Sequence, residues 1–297
     1  MIGGGVAGLS AATVAASRGH DVTLFEASHE VGGQFNLAKV IPGKEEFHET
    51  IRYFKVQLEK TGVDVRLNTQ VNREQLEREG FDEVIVATGV VPRALKIEGS
   101  QAPQVLSYAQ VLRGAPVGDR VAVIGAGGIG FDVSEFLLKP PHQVQPQPVN
   151  EWKREWGVDP NPNYVSEGGM QGAEIEAPIR EIYLLQRKKT PLGAGLGKTS
   201  GLVHRAQLKK HAVRMLRGVQ YKSVTDEGLW IEVDDHAQLL RVDSIVVCAG
   251  QESVKDLMPL AGENTLAQYH IIGGAKLAAE LDAKRAIREG AELAAKL

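Results

Sequence analysis

The chain opens with the glycine-rich stretch Met1-Ile2-Gly3-Gly4-Gly5-Val6-Ala7-Gly8-Leu9-Ser10-Ala11-Ala12. It fits the pattern G-x-G-x-x-G through Gly3, Gly5 and Gly8. An alanine-rich helix and a strand over residues 21–25 are predicted to follow, and Glu26 stands at the end of that strand. In a βαβ unit that binds a dinucleotide, such glycines form the turn beside the pyrophosphate, and an acid about 20 residues later accepts hydrogen bonds from a ribose. The stretch therefore predicts a nucleotide-binding βαβ unit.

A second copy of the pattern lies at Arg120-Val121-Ala122-Val123-Ile124-Gly125-Ala126-Gly127-Gly128-Ile129-Gly130-Phe131-Asp132. A complete apolar strand leads into Gly125, Gly127 and Gly130, and a helix is predicted to about residue 138 because the apolar pattern continues. The returning strand, residues 181–186, comes only after a proline-rich stretch. Two such sites on one chain imply two nucleotide cofactors, and an electron path from a nicotinamide to a flavin explains both.

The returning strand ends at the neutral Gln186, and Arg187 and Lys188 follow it. An acid at this position favours NAD, whereas cations suit the 2′-phosphate of NADP. A basic turn that is merely solvated is the alternative interpretation. The sequence thus predicts NADPH at the second site.

Composition excludes several classes of protein. The 297 residues suggest two domains, and 34 basic against 37 acidic residues give no surplus of positive charge for nucleic acid. A single cysteine, Cys248, forms neither an internal disulfide nor a thiolate cluster, and we expect it to be buried in a strand. The sequence has neither a long apolar run nor a signal-like start, so a cytoplasmic protein without a membrane segment is expected.

Further segments end or begin at glycines. Residues 82–89 and 243–250 each predict a buried strand, and the first of them ends in Ala87, Thr88 and Gly89, where backbone can approach a ligand. A helix is expected over residues 278–296, with its N-terminus near a flavin or its pyrophosphate.

Residues 32–39, 41–44, 185–188, 195–199 and 280–287 resemble the bacterial NADPH-dependent 2,4-dienoyl-CoA reductases and their relatives, and the resemblance covers nearly the whole chain. It implies an α/β fold with two Rossmann-like dinucleotide-binding domains, as in the two-dinucleotide-binding-domain flavoproteins. The FAD domain is then split into residues 1–112 and 245–297, and an NAD(P)H domain, residues 113–244, is inserted between them. Only two residues precede Gly3, so most of the opening strand of the FAD domain is expected to be missing.

The resemblance also implies roles for particular residues. Arg187 and Lys188 match the NADP phosphate site, and the backbone of Val71 matches the position that meets the adenine. The other implied FAD contacts are Ala7, Glu26, Gly33, Gln34, Lys44, Gly274, Leu281, Asp282 and Ala283.

The reaction implied is hydride transfer from NADPH to FAD, which requires stacking and exclusion of water and no catalytic side chain or metal. His204 and His211 are expected to be surface or packing residues. In the complete enzymes of this family an FMN-binding barrel with an iron–sulfur cluster receives the electrons, and this chain contains no such part. Two alternatives stay open: another acceptor, as in trimethylamine-dehydrogenase-like proteins or enoate reductases, and a truncated remnant that binds nucleotides without catalysis.

Overall fold

The computed structural model describes residues 1–140, 147–161, 163, 167–279 and 282–297. The first half of the chain forms α1 (Val6–Ser17), β1 (Thr23–Phe25), α2 (Phe35–Ala38), α3 (Phe47–Thr61), β2 (Asp64–Arg66), α4 (Arg73–Glu79), β3 (Glu83–Val86), β4 (Val90–Pro92), β5 (Val105–Ser107), α5 (Tyr108–Leu112), β6 (Arg120–Ile124) and α6 (Gly128–Leu138). The rest forms α7 (Val149–Glu155), β7 (Glu181–Gln186), α8 (Ser200–Lys210), β8 (Arg214–Arg217), β9 (Gln220–Thr225), β10 (Gly228–Val233), β11 (His236–Leu240), β12 (Ser244–Val247), β13 (Gln251–Ser253), β14 (Gln268–Ile271), α9 (Gly273–Lys276) and α10 (Ala283–Ala294).

The chain divides into two compact units. The first unit contains residues 1–39, 46–91 and 251–297, and the second contains residues 40–45 and 92–250. These limits differ from the predicted domain boundaries. β5 and β12 pair with each other, with Ile245 opposite Val105, and β12 also pairs with β6. Both strands therefore belong to the sheet of the second unit, which takes residues 92–112 and 245–250 away from the predicted FAD domain.

The sheet of the first unit is completed by the first residues of the chain. β1 pairs with β2 and β3 with β14, all in parallel. Ile2 forms parallel bridges to Phe25 on one side and to Val86 on the other. The amide of Ile2 donates to the carbonyl of Ile85 at 2.9 Å, and that of Gly3 donates to the carbonyl of Phe25 at 2.8 Å. Residues 1–3 thus take the place of a central strand and join the two pairs.

Small residues bring α1 and α10 close together in the first unit. Ala7, Ala11, Ala15 and Ala294 form one buried cluster with Ile85, Ala87 and Ile272. A Cβ on Gly290 would collide with the Ala7 carbonyl oxygen and would lie 3.0 Å from the Ala11 amide nitrogen. The helices approach this closely because their facing residues carry little or no side chain.

The second unit is built on a parallel sheet of five strands in the order β5-β12-β6-β7-β8. An antiparallel three-stranded sheet, β11-β10-β9, shares a core with one face of it, where Leu229 and Ile231 pack with Leu185 and Ile245. α6 packs on the other face, where a Cβ added to Gly130 of α6 would lie 3.5 Å from Cδ1 of Leu184 in β7. The carboxyl ends of the five strands lie at one edge of the sheet, where α/β proteins bind ligands.

Candidate functional site

A cleft of about 230 Å³ lies above the first glycine turn, within the first unit. Of the predicted FAD-binding residues, the lining includes Gly3, Gly5, Ala7, Glu26, Gly33, Gln34, Ala87, Thr88, Gly89, Gly274, Asp282 and Ala283. These residues come from six separate segments of the chain, so the fold brings together most of what the sequence placed at one site.

The three glycines of the first turn have different surroundings. Gly3 has φ +102°, and a Cβ there would lie 2.5 Å from the Ala87 carbonyl oxygen. A Cβ on Gly8 would collide with the Gly3 carbonyl oxygen, so this glycine permits the helix to pack on the turn. Gly5, with φ −73°, has no protein atom within 4 Å of an added Cβ among the described residues. Gly3 and Gly8 are thus required by the fold, whereas Gly5 faces open space at the start of α1.

Glu26 lines the cleft beside the first glycine turn. Its Oε2 accepts a hydrogen bond from the Gly4 amide at 2.7 Å, and its Oε1 accepts from the Ser28 amide at 2.8 Å and the Ser28 hydroxyl at 2.7 Å. These bonds fix the carboxylate at the carboxyl end of β1 beside the glycine turn. A carboxylate held there can accept hydrogen bonds from the hydroxyls of a ribose.

Residues 32–34 also line the cleft and contact the glycine turn. The Gly32 amide donates to the Gly4 carbonyl at 2.8 Å. Gly33 has φ +53°, and a Cβ on it would lie 2.9 Å from Gly5 Cα, so the backbones approach each other more closely than a side chain allows. Gln34 precedes α2, and its Nε2 lies 3.5 Å from the Val90 carbonyl oxygen.

The start of α10 forms another part of the lining. The helix begins at Ala283, later than the predicted 278, because the side chain of Asp282 caps it by accepting from the Lys284 amide at 2.9 Å. Its N-terminus, with Ala283 and Ala286, borders the cleft and favours a negatively charged group there.

Sequence reasoning assigned no role to Arg285, which also lines the cleft. Its Nη2 donates to the carbonyls of Leu277 at 3.0 Å and Ala279 at 3.2 Å. The cation is thereby held near the start of α10. The only signal for it was its place in the 280–287 stretch of the family resemblance.

Besides Gly8, three predicted FAD-binding residues are not among these lining residues. Val71 is buried in the hydrophobic core with Ile2 and Phe25. Lys44 belongs to the second unit, where its Nζ lies 2.6 Å from Asp132 Oδ2. Leu281 lies outside the described residues.

The second glycine turn repeats the geometry of the first. Gly125 has φ +109°, and a Cβ there would lie 2.5 Å from the carbonyl oxygen of Cys248. A Cβ on Gly130 would collide with the Gly125 carbonyl oxygen, while a Cβ on Gly127 would have no described protein atom within 4 Å. The same three roles therefore recur at both turns. Cys248 is buried, as expected, and burial raises the pKa of its thiol.

A basic turn, residues 186–190, follows β7. The Gln186 side chain closes it, because Nε2 donates to the carbonyls of Lys188 at 3.0 Å and Thr190 at 2.8 Å. Arg187 and Lys188 are exposed and form no ion pair with any carboxylate that the structure describes. Their charges are available to an anion at the carboxyl end of β7.

The helix after the second turn carries two acids that pair with cations. Asp132 pairs with Lys44, as above, and Glu135 Oε1 lies 2.7 Å from His204 Nδ1. The bond to Glu135 raises the pKa of His204 and outweighs the burial that lowers it. His204 is therefore an ion-paired residue of α8 and not a simple surface histidine, whereas His211 is buried as expected for a packing residue.

Within the described ranges, no group of three or more histidine, cysteine, aspartate or glutamate residues is arranged to hold a metal ion. None of the helices in those ranges combines the length and the apolar character required to cross a membrane.

Curated relatives match large parts of the chain. The bilirubin reductase of Mediterraneibacter gnavus (strain CC55_001C) is 41% identical over 145 residues, which are 48% of this chain and 23% of the relative. The cinnamate reductase of Clostridium sporogenes is 29% identical over 258 residues, covering 86% of this chain and 33% of that protein. The chain thus spans a third or less of the length of these two relatives.

Solved structures share the fold. A 2-naphthoyl-CoA reductase in complex with 2-naphthoyl-CoA superposes with a TM-score of 0.79 at 26% identity, over all of this chain and 39% of the other. The thioredoxin reductase of T. acidophilum superposes with a TM-score of 0.68 at 15% identity, over all of this chain and 95% of the other. The predicted fold class, the α/β fold of the two-dinucleotide-binding-domain flavoproteins, is confirmed.

Residues 1–271 match the family model described as pyridine nucleotide-disulphide oxidoreductase. The match includes both glycine turns, the basic turn and most of the cleft. Proteins of this family bind FAD and pyridine nucleotides. The chain therefore belongs to the pyridine nucleotide-disulphide oxidoreductase family and is an oxidoreductase flavoprotein module.

Proposed function

We propose that this chain is a cytoplasmic reductase module that binds FAD in the first unit and NADPH in the second and passes a hydride from NADPH to FAD. The observation that carries the proposal is the repeated glycine geometry. In both turns a Cβ added to the first or third glycine would meet backbone atoms, whereas a Cβ on the middle glycine would have no described protein atom within 4 Å. A pyrophosphate needs such a space, because its oxygens bind to amides at a helix N-terminus.

The residues of the first unit fit FAD. Glu26 would hold the ribose, Gly5 and the first turn of α1 would face the pyrophosphate, and the N-terminus of α10 would favour a negative charge. FAD bound there would accept a hydride at N5 from the nicotinamide C4 of NADPH. The protein's part is to hold the nucleotide and to exclude water, and we assign no proton transfer to a side chain.

We propose NADPH in preference to NADH because of the basic turn. The residue at the end of β7 is the neutral Gln186, whose amide is already bonded to carbonyls of the turn. A carboxylate in its place would repel a phosphate, whereas Arg187 and Lys188 attract one.

The acceptor beyond FAD must lie outside this chain's own thiols, because one cysteine forms no internal disulfide. We propose that electrons continue to a barrel domain with FMN and a [4Fe–4S] cluster, in a partner or in another part of a longer protein, and reduce a 2,4-dienoyl-CoA. The names of the relatives support a second candidate. Cinnamate and 2-naphthoyl-CoA contain conjugated unsaturation, so another enoate-type acceptor is the alternative substrate class.

Anaerobic reduction tests the proposal. We expect the purified chain to be yellow and NADPH to bleach its flavin absorbance. A folded, colourless chain, or a yellow chain that NADPH leaves oxidised, would contradict the proposal and favour the truncated remnant.

Two glycine variants separate nucleotide binding from folding. Gly5→Ala introduces a methyl group into open space at an allowed φ, so we expect unchanged thermal stability of the flavin-free chain and FAD binding weakened by about tenfold, roughly 1.4 kcal/mol. Gly8→Ala is the matched control, since its methyl group meets the Gly3 carbonyl, and we expect about 1–3 kcal/mol of destabilisation. Flavin absorbance after dialysis and circular dichroism melting measure the two effects. Normal FAD retention by Gly5→Ala would place the pyrophosphate elsewhere.

A further inference from the structure

We propose that Arg217, at the carboxyl end of β8, is a third cation of the 2′-phosphate site formed by the basic turn. This inference rests on the proposed function, because it concerns the nucleotide assigned to the second unit. The sequence gives no reason to connect Arg217 with Arg187, since the two residues lie 30 positions apart in the chain. The pairing of β7 with β8 makes the connection.

Strand register places Arg217 beside the basic turn. β7 and β8 are parallel, and Arg217 is the register partner of Gln186. The pairing continues beyond the strands, where the Gly218 amide donates to the Lys188 carbonyl at 3.1 Å and the Val219 amide donates to the Gln186 carbonyl at 2.9 Å. Residues 217–219 are therefore fixed against the turn by their backbone.

Arg217 also lies on the face of the five-stranded sheet against which α6 packs. Side chains two residues apart in a strand lie on the same face, so Gln186 shares a face with Leu184. Leu184 faces α6, as shown by the 3.5 Å that would separate its Cδ1 from a Cβ added to Gly130. Arg217, as the partner of Gln186, thus lies on the nucleotide side of the sheet, one strand beyond the predicted ribose position.

The charge at this edge is uncompensated. Arg217 is exposed, and within the described part of the chain neither it nor Arg187, Lys188 or Lys189 forms an ion pair with a carboxylate. Arg214, on the same strand, shows the contrast, since it pairs with Glu181 at 3.1 Å and its guanidinium lies 5.1 Å from the centre of the Tyr183 ring. Cations at the ends of adjacent strands that lack an acidic partner are characteristic of a site for a dianionic phosphate.

Binding of two adenine nucleotides tests the inference without any redox reaction. We propose calorimetric titration of the purified chain with 2′,5′-ADP and with 5′-AMP, which differ only by the 2′-phosphate. Arg217→Ala should weaken 2′,5′-ADP binding by about fivefold, the size of one exposed charge pair, and leave 5′-AMP unchanged. Arg217→Lys should retain most of the affinity, and the loss in Arg217→Ala should shrink as salt is raised.

Two controls separate this inference from the proposed function. Arg241→Ala removes an equal charge at the amino end of β12, the opposite edge of the sheet, and should change neither affinity. Arg187→Ala with Lys188→Ala should abolish the preference for 2′,5′-ADP. If the wild-type chain binds both nucleotides equally, the proposed NADPH preference fails. If the double variant loses the preference while Arg217→Ala keeps wild-type affinity, only the role of Arg217 is refuted.

Discussion

At the scale of single residues, glycines of the same sequence motif are required for different reasons: some leave open space for a ligand, and others permit close packing of the backbone. The G-x-G-x-x-G pattern identifies all of its members but does not distinguish Gly5, which faces open space, from Gly8, which faces a carbonyl of its own turn. Gly290 lies outside any motif, and its requirement comes from the close approach of α1, nearly 280 residues away in the chain. Sequence patterns reveal a glycine needed by a local turn, but not one needed by a distant helix.

Gly290→Ala is expected to destabilise the first unit. The added methyl group meets the Ala7 carbonyl and the Ala11 amide, which are backbone atoms and move only if α1 moves, so we expect a loss of about 1–3 kcal/mol in the free energy of unfolding. Because Ala7 also lines the cleft, FAD retention should fall as well. Thermal melting and flavin absorbance measure the two effects. Gly195→Ala is the control, since its Cβ meets no described atom within 4 Å; equal stability of the two variants would show that the helices adapt.

At the scale of elements, the buried Glu155 connects α7, which lies between α6 and β7, to α8. Glu155, at the end of α7, accepts hydrogen bonds from Gln147 at 2.9 Å, Gln207 at 2.8 Å and Lys210 at 3.2 Å. Lys210 Nζ also lies 4.4 Å from the centre of the Trp156 ring. Composition alone indicated a proline-rich interruption here. The attachment to α8 depends on pairing between residues about 50 positions apart, which local periodicity does not record.

Glu155 predicts an acid-sensitive contribution to stability. Burial would raise the pKa of this carboxyl, but the hydrogen bonds from Gln207, Gln147 and Lys210 outweigh it and lower the pKa to about 2 from its usual 4.5. A carboxyl whose pKa falls on folding stabilises the folded chain above its unfolded pKa, and the contribution is lost as the pH decreases from 4.5 towards 2. Glu155→Gln should therefore cost about 1–3 kcal/mol at neutral pH and less in acid.

Urea unfolding at pH 7 and near pH 3, followed by tryptophan fluorescence, measures this difference, since Trp152, Trp156 and Trp230 all lie in the second unit. Glu151→Gln is the matched control, because Glu151 belongs to the same helix and is exposed. If the difference in the free energy of unfolding between Glu155→Gln and the wild-type chain is the same at both pH values, the carboxylate is not the stabilising group.

At the scale of the whole molecule, the sequence predicts which chemistry is present better than it predicts where the units divide. Both glycine turns, α6 and β7 occur where the patterns place them, because each depends on nearby residues. The compact units divide at residues 91/92 and not at the predicted 112/113, because β5 pairs with β12, about 140 residues later. Lys44 was likewise assigned to FAD by resemblance, whereas its position beside Asp132 follows from the clustering of residues 40–45 with the second unit.

The division into units predicts two separate footprints in hydrogen exchange. A ligand at about 100 times its Kd stabilises its site by about 2.7 kcal/mol, so exchange at bound amides should slow by up to about 100-fold. FAD added to flavin-depleted chain should protect residues 3–8 and 283–286, and 2′,5′-ADP should protect residues 125–130 and 186–189, while β9–β11 serve as the internal control. Gly5→Ala should weaken only the FAD footprint, and Gly127→Ala should weaken only the footprint of 2′,5′-ADP, because each added methyl group fills the open space of one turn. Protection of residues 125–130 by FAD would reverse the assignment of cofactors to the two units.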